Sequence, residues 1–176
     1  MAKAFIAGCI FVVIVGLIGA YLFVTRGWMP ANADGKPFFL ESWAAHKSLH
    51  ATLQKEAPTT PNPEALTNDN LIAGVRLYAQ NCAVCHGASD MKESNIALGL
   101  FQKPPQLAGD GVEDDPEGVT YWKIKHGIRL TGMPAYSPTL TEEQIWQITL
   151  FLKHMDSLPA PVDKIWKSVP SQKNLP

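Results

Sequence analysis

Residues Cys82, Cys85 and His86 place two thiols three positions apart with an imidazole directly after the second. Three chemistries use that spacing. A dithiol can switch with a disulfide, and a βαβ pattern is then expected around it. Zinc takes a cysteine pair as half of a tetrahedral set, so a second pair of ligands must follow. Haem is attached when two thiols add to its two vinyl groups and the neighbouring imidazole binds the iron from one side. The third cysteine, Cys9, lies in the longest apolar run of the chain, where it cannot complete a zinc set.

An iron that only carries electrons takes a second strong ligand, and methionine opposite histidine raises the potential by favouring Fe(II). The methionines are Met1, Met29, Met91, Met133 and Met155. Met29 adjoins the apolar run, Met155 belongs to a helical pattern, and Met91 is too close to His86 to reach around a ring. Met133 sits in "LTGMPAYSP", a loop framed by Gly and Pro, 47 residues after His86. His126 in "YWKIKHG" is the rival ligand and would lower the potential; His154 is a weaker one. His46 and His50 stand at i, i+4 and can clamp a metal from one helix face, but with no third ligand nearby they read as solvent-facing.

The elements that must hold these residues are helical. From Asn68 the positions Leu71, Ile72, Val75, Tyr78 and Ala79 make one apolar face, with Asn68 or Asp69 available as cap, and this helix runs into the cysteines. A second helix is read in "LTEEQIWQITLFLKHMDSL". There Thr141 and Gln144 form a capping box, and Ile145, Ile148, Leu152 and Met155 repeat on one face. Between them lies a Gly- and Pro-rich stretch with a shorter helix in "GVTYWKIKHG". No segment sustains strand alternation, so the fold class is all-α, which leaves the redox-switch reading without its βαβ setting.

Ahead of this domain, Ala4 to Val24 is a run of 21 residues without a charge. As a helix it is about 31 Å long, enough for a bilayer core of ~30 Å. It is longer than a signal peptide core, and the small residues Ala31 to Ala33 stand well beyond it, so it is read as a retained anchor. Cys9 has most of its apolar neighbours after it, the wrong order for a lipobox. Gly8, Val12, Gly16 and Ala20 form a stripe of small residues that lets another membrane helix approach. The division is an anchor over 1–25, a spacer with a short helix over 26–67, the domain over 68–158 and a Pro-rich tail over 159–176, where Trp166 is read as packing back or touching a partner.

The formal net charge is −1, which gives no basic field for nucleic acid. Asn68 to Leu158 carries eleven acids against seven bases, so long-range steering favours a basic partner. The run Glu113 to Glu117 is its most acidic point and reads as a solvated turn or a docking site.

With CAVCH, GMPAY and two flanking helices in place, residues 68–158 resemble a class I (monohaem) cytochrome c, here in a membrane-anchored form. The resemblance implies N- and C-terminal helices crossed at Gly74, against Ile148 and Phe151, around one covalent haem c. It implies Cys82 and Cys85 as tethers, His86 and Met133 as iron ligands, and the P-x-L turn at Pro105 and Leu107, with the Pro105 carbonyl accepting from the His86 ring. Tyr121 and Trp122 resemble the aromatic haem-packing position, and Tyr136 the aromatic residue after the ligand methionine. Arg129 is paired with a haem propionate on charge alone.

The expected function is single-electron relay at the outer, periplasmic face of the cytoplasmic membrane, since such haem attachment takes place outside the cytoplasm in the family. Redox proteins are the expected partners, with a respiratory or dehydrogenase complex reached through the membrane helix, and with neither nucleic acid nor a small-molecule substrate. No acid, base or nucleophile constellation calls for catalysis by the chain itself. The alternative is a haem sensor or peroxidase with an open iron, which requires Met133 not to bind.

Overall fold

The computed structural model describes residues 1–174, so the last two residues of the expected tail, 175 and 176, lie outside the described residues. The chain divides into two compact units, Met1–Gly35 and Lys36–Pro176.

The first unit is α1, Ala2–Thr25, with no buried residue. At 24 residues it is about 36 Å long, and it is long and apolar enough to cross a membrane. Its end is a Schellman motif. Gly27, at φ +71°, lets its own N–H reach Val24 O at 3.3 Å and the Trp28 N–H reach Phe23 O at 3.2 Å, closing carbonyls the helix leaves open.

The second unit has α2 (Phe39–Glu56), α3 (Asn68–Asn81), the one-turn α4 (Ala83–His86), α5 (Asn95–Gly99), α6 (Glu117–His126), α7 (Glu142–Lys153) and α8 (Ala160–Lys167), and no strand among the described residues. Its core is the crossing of α3 and α7. Leu71, Val75, Tyr78, Ile145, Ile148 and Phe151 are buried there. The helices touch at Gly74, where a Cβ would stand 2.2 Å from Gln147 O and 2.8 Å from Phe151 Cβ; Gln147 shares with Phe151 the contact expected of Ile148. The α3 cap is Thr67, whose hydroxyl accepts from Asn70 N at 3.2 Å, one position ahead of the expected Asn68. The capping box of α7 is present, with Gln144 N on Thr141 Oγ1 at 3.2 Å and Thr141 N on Gln144 Oε1 at 2.9 Å.

Two boundaries shift. The stretch read as a Pro-rich tail contains α8, which begins with Pro161 in its first turn, where a missing N–H costs nothing. It buries Val162 and Trp166. The Trp166 ring meets Tyr78 at 5.4 Å and Phe151 at 5.1 Å, edge-on in both cases. A domain boundary at 158 therefore cuts through a packed core. The spacer likewise joins the domain before residue 67: a Cβ on Gly118 would meet Pro58 O at 1.7 Å, and the Asn62 amide donates to Glu117 Oε1 at 3.0 Å and Trp146 O at 3.2 Å.

Candidate functional site

Helix α3 delivers Cys82 at its C-terminal cap, and α4 turns directly from it. Cys85 N and His86 N both donate to Cys82 O, at 3.0 and 2.9 Å, so both thiols and the imidazole belong to a single helical turn. Such a turn stands alone poorly, because nucleation fixes many dihedrals for one hydrogen bond. Side chains from three other segments capture its carbonyls. Ser94 Oγ donates to Val84 O, Gln106 Nε2 to Cys85 O at 3.3 Å, and Tyr78 Oη to His86 O at 3.2 Å and Gly87 O at 2.9 Å. The chain leaves through Gly87 at φ +76°, where a Cβ would also strike Gln106 Oε1 at 2.2 Å.

His86 Nδ1–H donates to Pro105 O at 2.9 Å, which fixes the tautomer and leaves Nε2 with its lone pair for a metal. Burial lowers the pKa of the ring, partly opposed by the Pro105 carbonyl and the Asp110 charge, and a neutral imidazole is the ligating form. Cys82 and Cys85 are free thiols. Burial, with the neighbouring Cys85, pushes Cys82 up to about 12.

Met133 is brought to the same place by a closed loop. Ile128 N donates to Met133 O at 3.2 Å, Met133 N to Thr131 Oγ1 at 3.1 Å, and Tyr136 N returns to Ile124 O at 3.1 Å. Tyr136 Oη donates to Asn81 O at 2.7 Å, tying this loop to the end of α3. Burial pushes the phenol up to about 12.

Cys82, Cys85, His86, Pro105, Met133 and Tyr136 line one open cleft. Its walls are otherwise mainly apolar, from Leu100, Pro104, Ile124, Ile128 and Pro134, with Lys103 as the fixed charge. Met133 is the one methionine on that wall; Met155 is in the core and Met29 and Met91 are exposed. A soft thioether, an imidazole and two free thiols around an apolar space match the donor set of a tethered iron macrocycle.

The remaining expected residues stand off the wall. Tyr121 is stacked on Trp146 at 4.0 Å, because its buried face of α6 is turned to α7, and Lys125 Nζ donates to its hydroxyl at 3.1 Å. Trp122 lies against His126 at 4.8 Å, Leu107 packs on the core, and Arg129 is exposed. The run Glu113–Glu117 is partly satisfied from within: Lys153 Nζ donates to Glu113 O and Asp115 O, and Lys123 pairs with Asp115 at 2.8 Å. Sequence reasoning missed Leu100, Pro104 and Ile128, whose apolar side chains carry no chemical signature.

Residues 69–152 match the family model described as cytochrome c oxidase, cbb3-type, subunit III. This segment is a c-type cytochrome domain. The cytochrome domain accordingly binds haem and serves electron transfer. The chain is also 32% identical over 107 residues to the quinohemoprotein alcohol dehydrogenase ADH-IIG of Pseudomonas putida, covering 58% of this chain and 13% of the relative. It thus spans a small part of that protein's length. No solved structure matches the chain.

Proposed function

We propose that the chain is a membrane-anchored monohaem cytochrome c that relays single electrons, with Cys82 and Cys85 as thioether tethers and His86 Nε2 and Met133 Sδ as the two iron ligands. When bound, the haem supplies an Fe(III)/Fe(II) couple whose potential a His/Met pair raises. The protein's residues do the rest. Pro105 O keeps the proton on His86 Nδ1 and makes the ring a stronger donor. The hydrogen-bonded loop around Met133 keeps this residue on the wall of the cleft, which is mainly apolar. The observation that carries this reading is that Met133, alone of the methionines, shares its cleft with His86 and both thiols.

In this reading α1 is the anchor, the cytochrome domain faces the periplasm or outer side, and the exposed Arg129 pairs with a propionate. The family description and the dehydrogenase relative both name oxidoreductases, which supports a role as the electron-transfer, non-catalytic subunit of a respiratory or dehydrogenase complex. The test is Met133→Ala in the full-length, haem-loaded protein. The Met-to-Fe(III) charge-transfer absorption band of the oxidised wild type is expected to disappear and the potential to fall. A wild type without that band, or a variant that keeps it, refutes the ligand assignment and favours an open iron site.

A further inference from the structure

We infer that Gln106 is a positioning residue for His86, its side-chain amide holding the Pro105 carbonyl on the imidazole. The inference rests on the reading of His86 as an iron ligand. Two consecutive residues of the motif turn meet two consecutive residues of the opposite strand of chain, in reverse order: Cys85 O accepts from Gln106 Nε2 at 3.3 Å, and His86 Nδ1–H donates to Pro105 O at 2.9 Å. Among the described residues these are the two hydrogen bonds that join the turn to residues 104–106. The backbone has little else to offer there. Pro104 and Pro105 have no N–H, and among the described residues the Gln106 backbone N–H makes no hydrogen bond to the turn, so the donor that fastens this segment is the Gln106 side chain.

The rest of the turn is held without this segment, through Ser94 and Tyr78. What Gln106 adds is therefore the register of the Pro105 carbonyl against the ring. The other half of its amide points the same way. Gln106 Oε1 is buried with no hydrogen-bond partner and is pressed where a Cβ of residue 87 would be. A buried acceptor left unmet is a cost that an apolar side chain of the same size avoids. Packing alone thus disfavours glutamine here, and the donor function of Nε2 accounts for it.

The consequence is electronic. A firmly held Nδ1–H···O bond raises the basicity of the ligating nitrogen, which favours Fe(III); loosening it raises the reduction potential. The experiment is Gln106→Met, near in size but without a donor, in the full-length haem-loaded protein. Three quantities are read: exchange of the His86 Nδ1 proton by NMR in the reduced protein, the reduction potential, and the denaturation midpoint. Ring-proton exchange is expected to quicken at least tenfold. A tenfold loss of preference for Fe(III) corresponds to a rise of about 59 mV for one electron, with the midpoint close to that of the wild type. Unchanged exchange and potential, or a potential that moves only in step with stability, overturns the inference. If the Met variant does not accumulate, Gln106→Asn, which keeps the amide but falls one methylene short, is read by the same criteria. Failure of the ligand reading has a separate signature: in the wild type itself the His86 ring protons would lack the displaced resonances of an iron-bound imidazole.

Discussion

Replacing Gly74 by alanine tests the contact on which the helix crossing depends. The added Cβ would lie 2.2 Å from Gln147 O, 2.8 Å from Phe151 Cβ and 3.0 Å from Gln147 C. A comfortable carbon–oxygen contact is about 3.3 Å or more, so α3 and α7 must part by roughly 1 Å at their crossing. Two of the three atoms are α7 backbone and cannot rotate away, so the strain belongs at the upper end of the ~1–3 kcal/mol typical of overpacking. A radial gap of this size also forfeits about a quarter to a half of each dispersion contact it opens, and Leu71, Val75 and Tyr78 line the same interface. Against this, alanine in place of glycine within a helix returns about 1 kcal/mol. The net expectation is a loss of about 2 kcal/mol. With a slope of ~2–6 kcal/mol/M in guanidinium chloride, the midpoint falls by about 0.3–1 M. The assay is equilibrium unfolding followed by far-ultraviolet circular dichroism. Gly99→Ala serves as control, since nothing stands within 4 Å of a Cβ there. A Gly74→Ala midpoint at or above the wild-type value refutes the reasoning.

Two further outcomes are expected. Trp166→Ala should cost about 3–5 kcal/mol, as for other buried aromatic truncations, because the ring is 4% exposed and meets both Tyr78 and Phe151; a near-neutral effect in the same unfolding assay would make α8 an appendage. In the reduced, haem-free chain with Cys9→Ala, iodoacetamide at pH 8 should label Cys85 well before Cys82. The thiolate is the reactive form and burial pushes Cys82 up to about 12, while Cys85 is more accessible; equal rates by mass spectrometry would contradict the buried placement of Cys82.

Helices α3 and α7 were legible because each is long, periodic and capped by polar residues in the usual positions. Their crossing was legible through Gly74, a glycine inside a helical pattern. Helix α8 was not, because Pro159 and Pro161 read as breakers in sequence although proline suits a first turn; only burial of Val162 and Trp166 distinguishes the two. The cleft divides in the same way. Cysteines, histidine and methionine announce their chemistry by type, whereas Leu100, Pro104 and Ile128 acquire a place on the wall only when distant segments converge. Tyr121 and Trp122 mark the limit of reasoning from residue type. Adjacent aromatic residues on one helix point in different directions, and Trp146, 25 positions after Tyr121, decides where the first one lies.

Tyr78 faces two ways. Its hydroxyl holds the carbonyls at the end of the motif turn, and its ring is clasped by Phe151 and Trp166. Phe151 and Trp166, which complete the packing of this side chain, are thus synthesised well after the residues it secures. A chain that stops short of α8 still contains every cysteine and histidine of the motif, yet lacks the wall against which Tyr78 is held. The presence of α8 is in this way registered at residues 82–87, and chains cut before it would present a looser motif than chains that contain it.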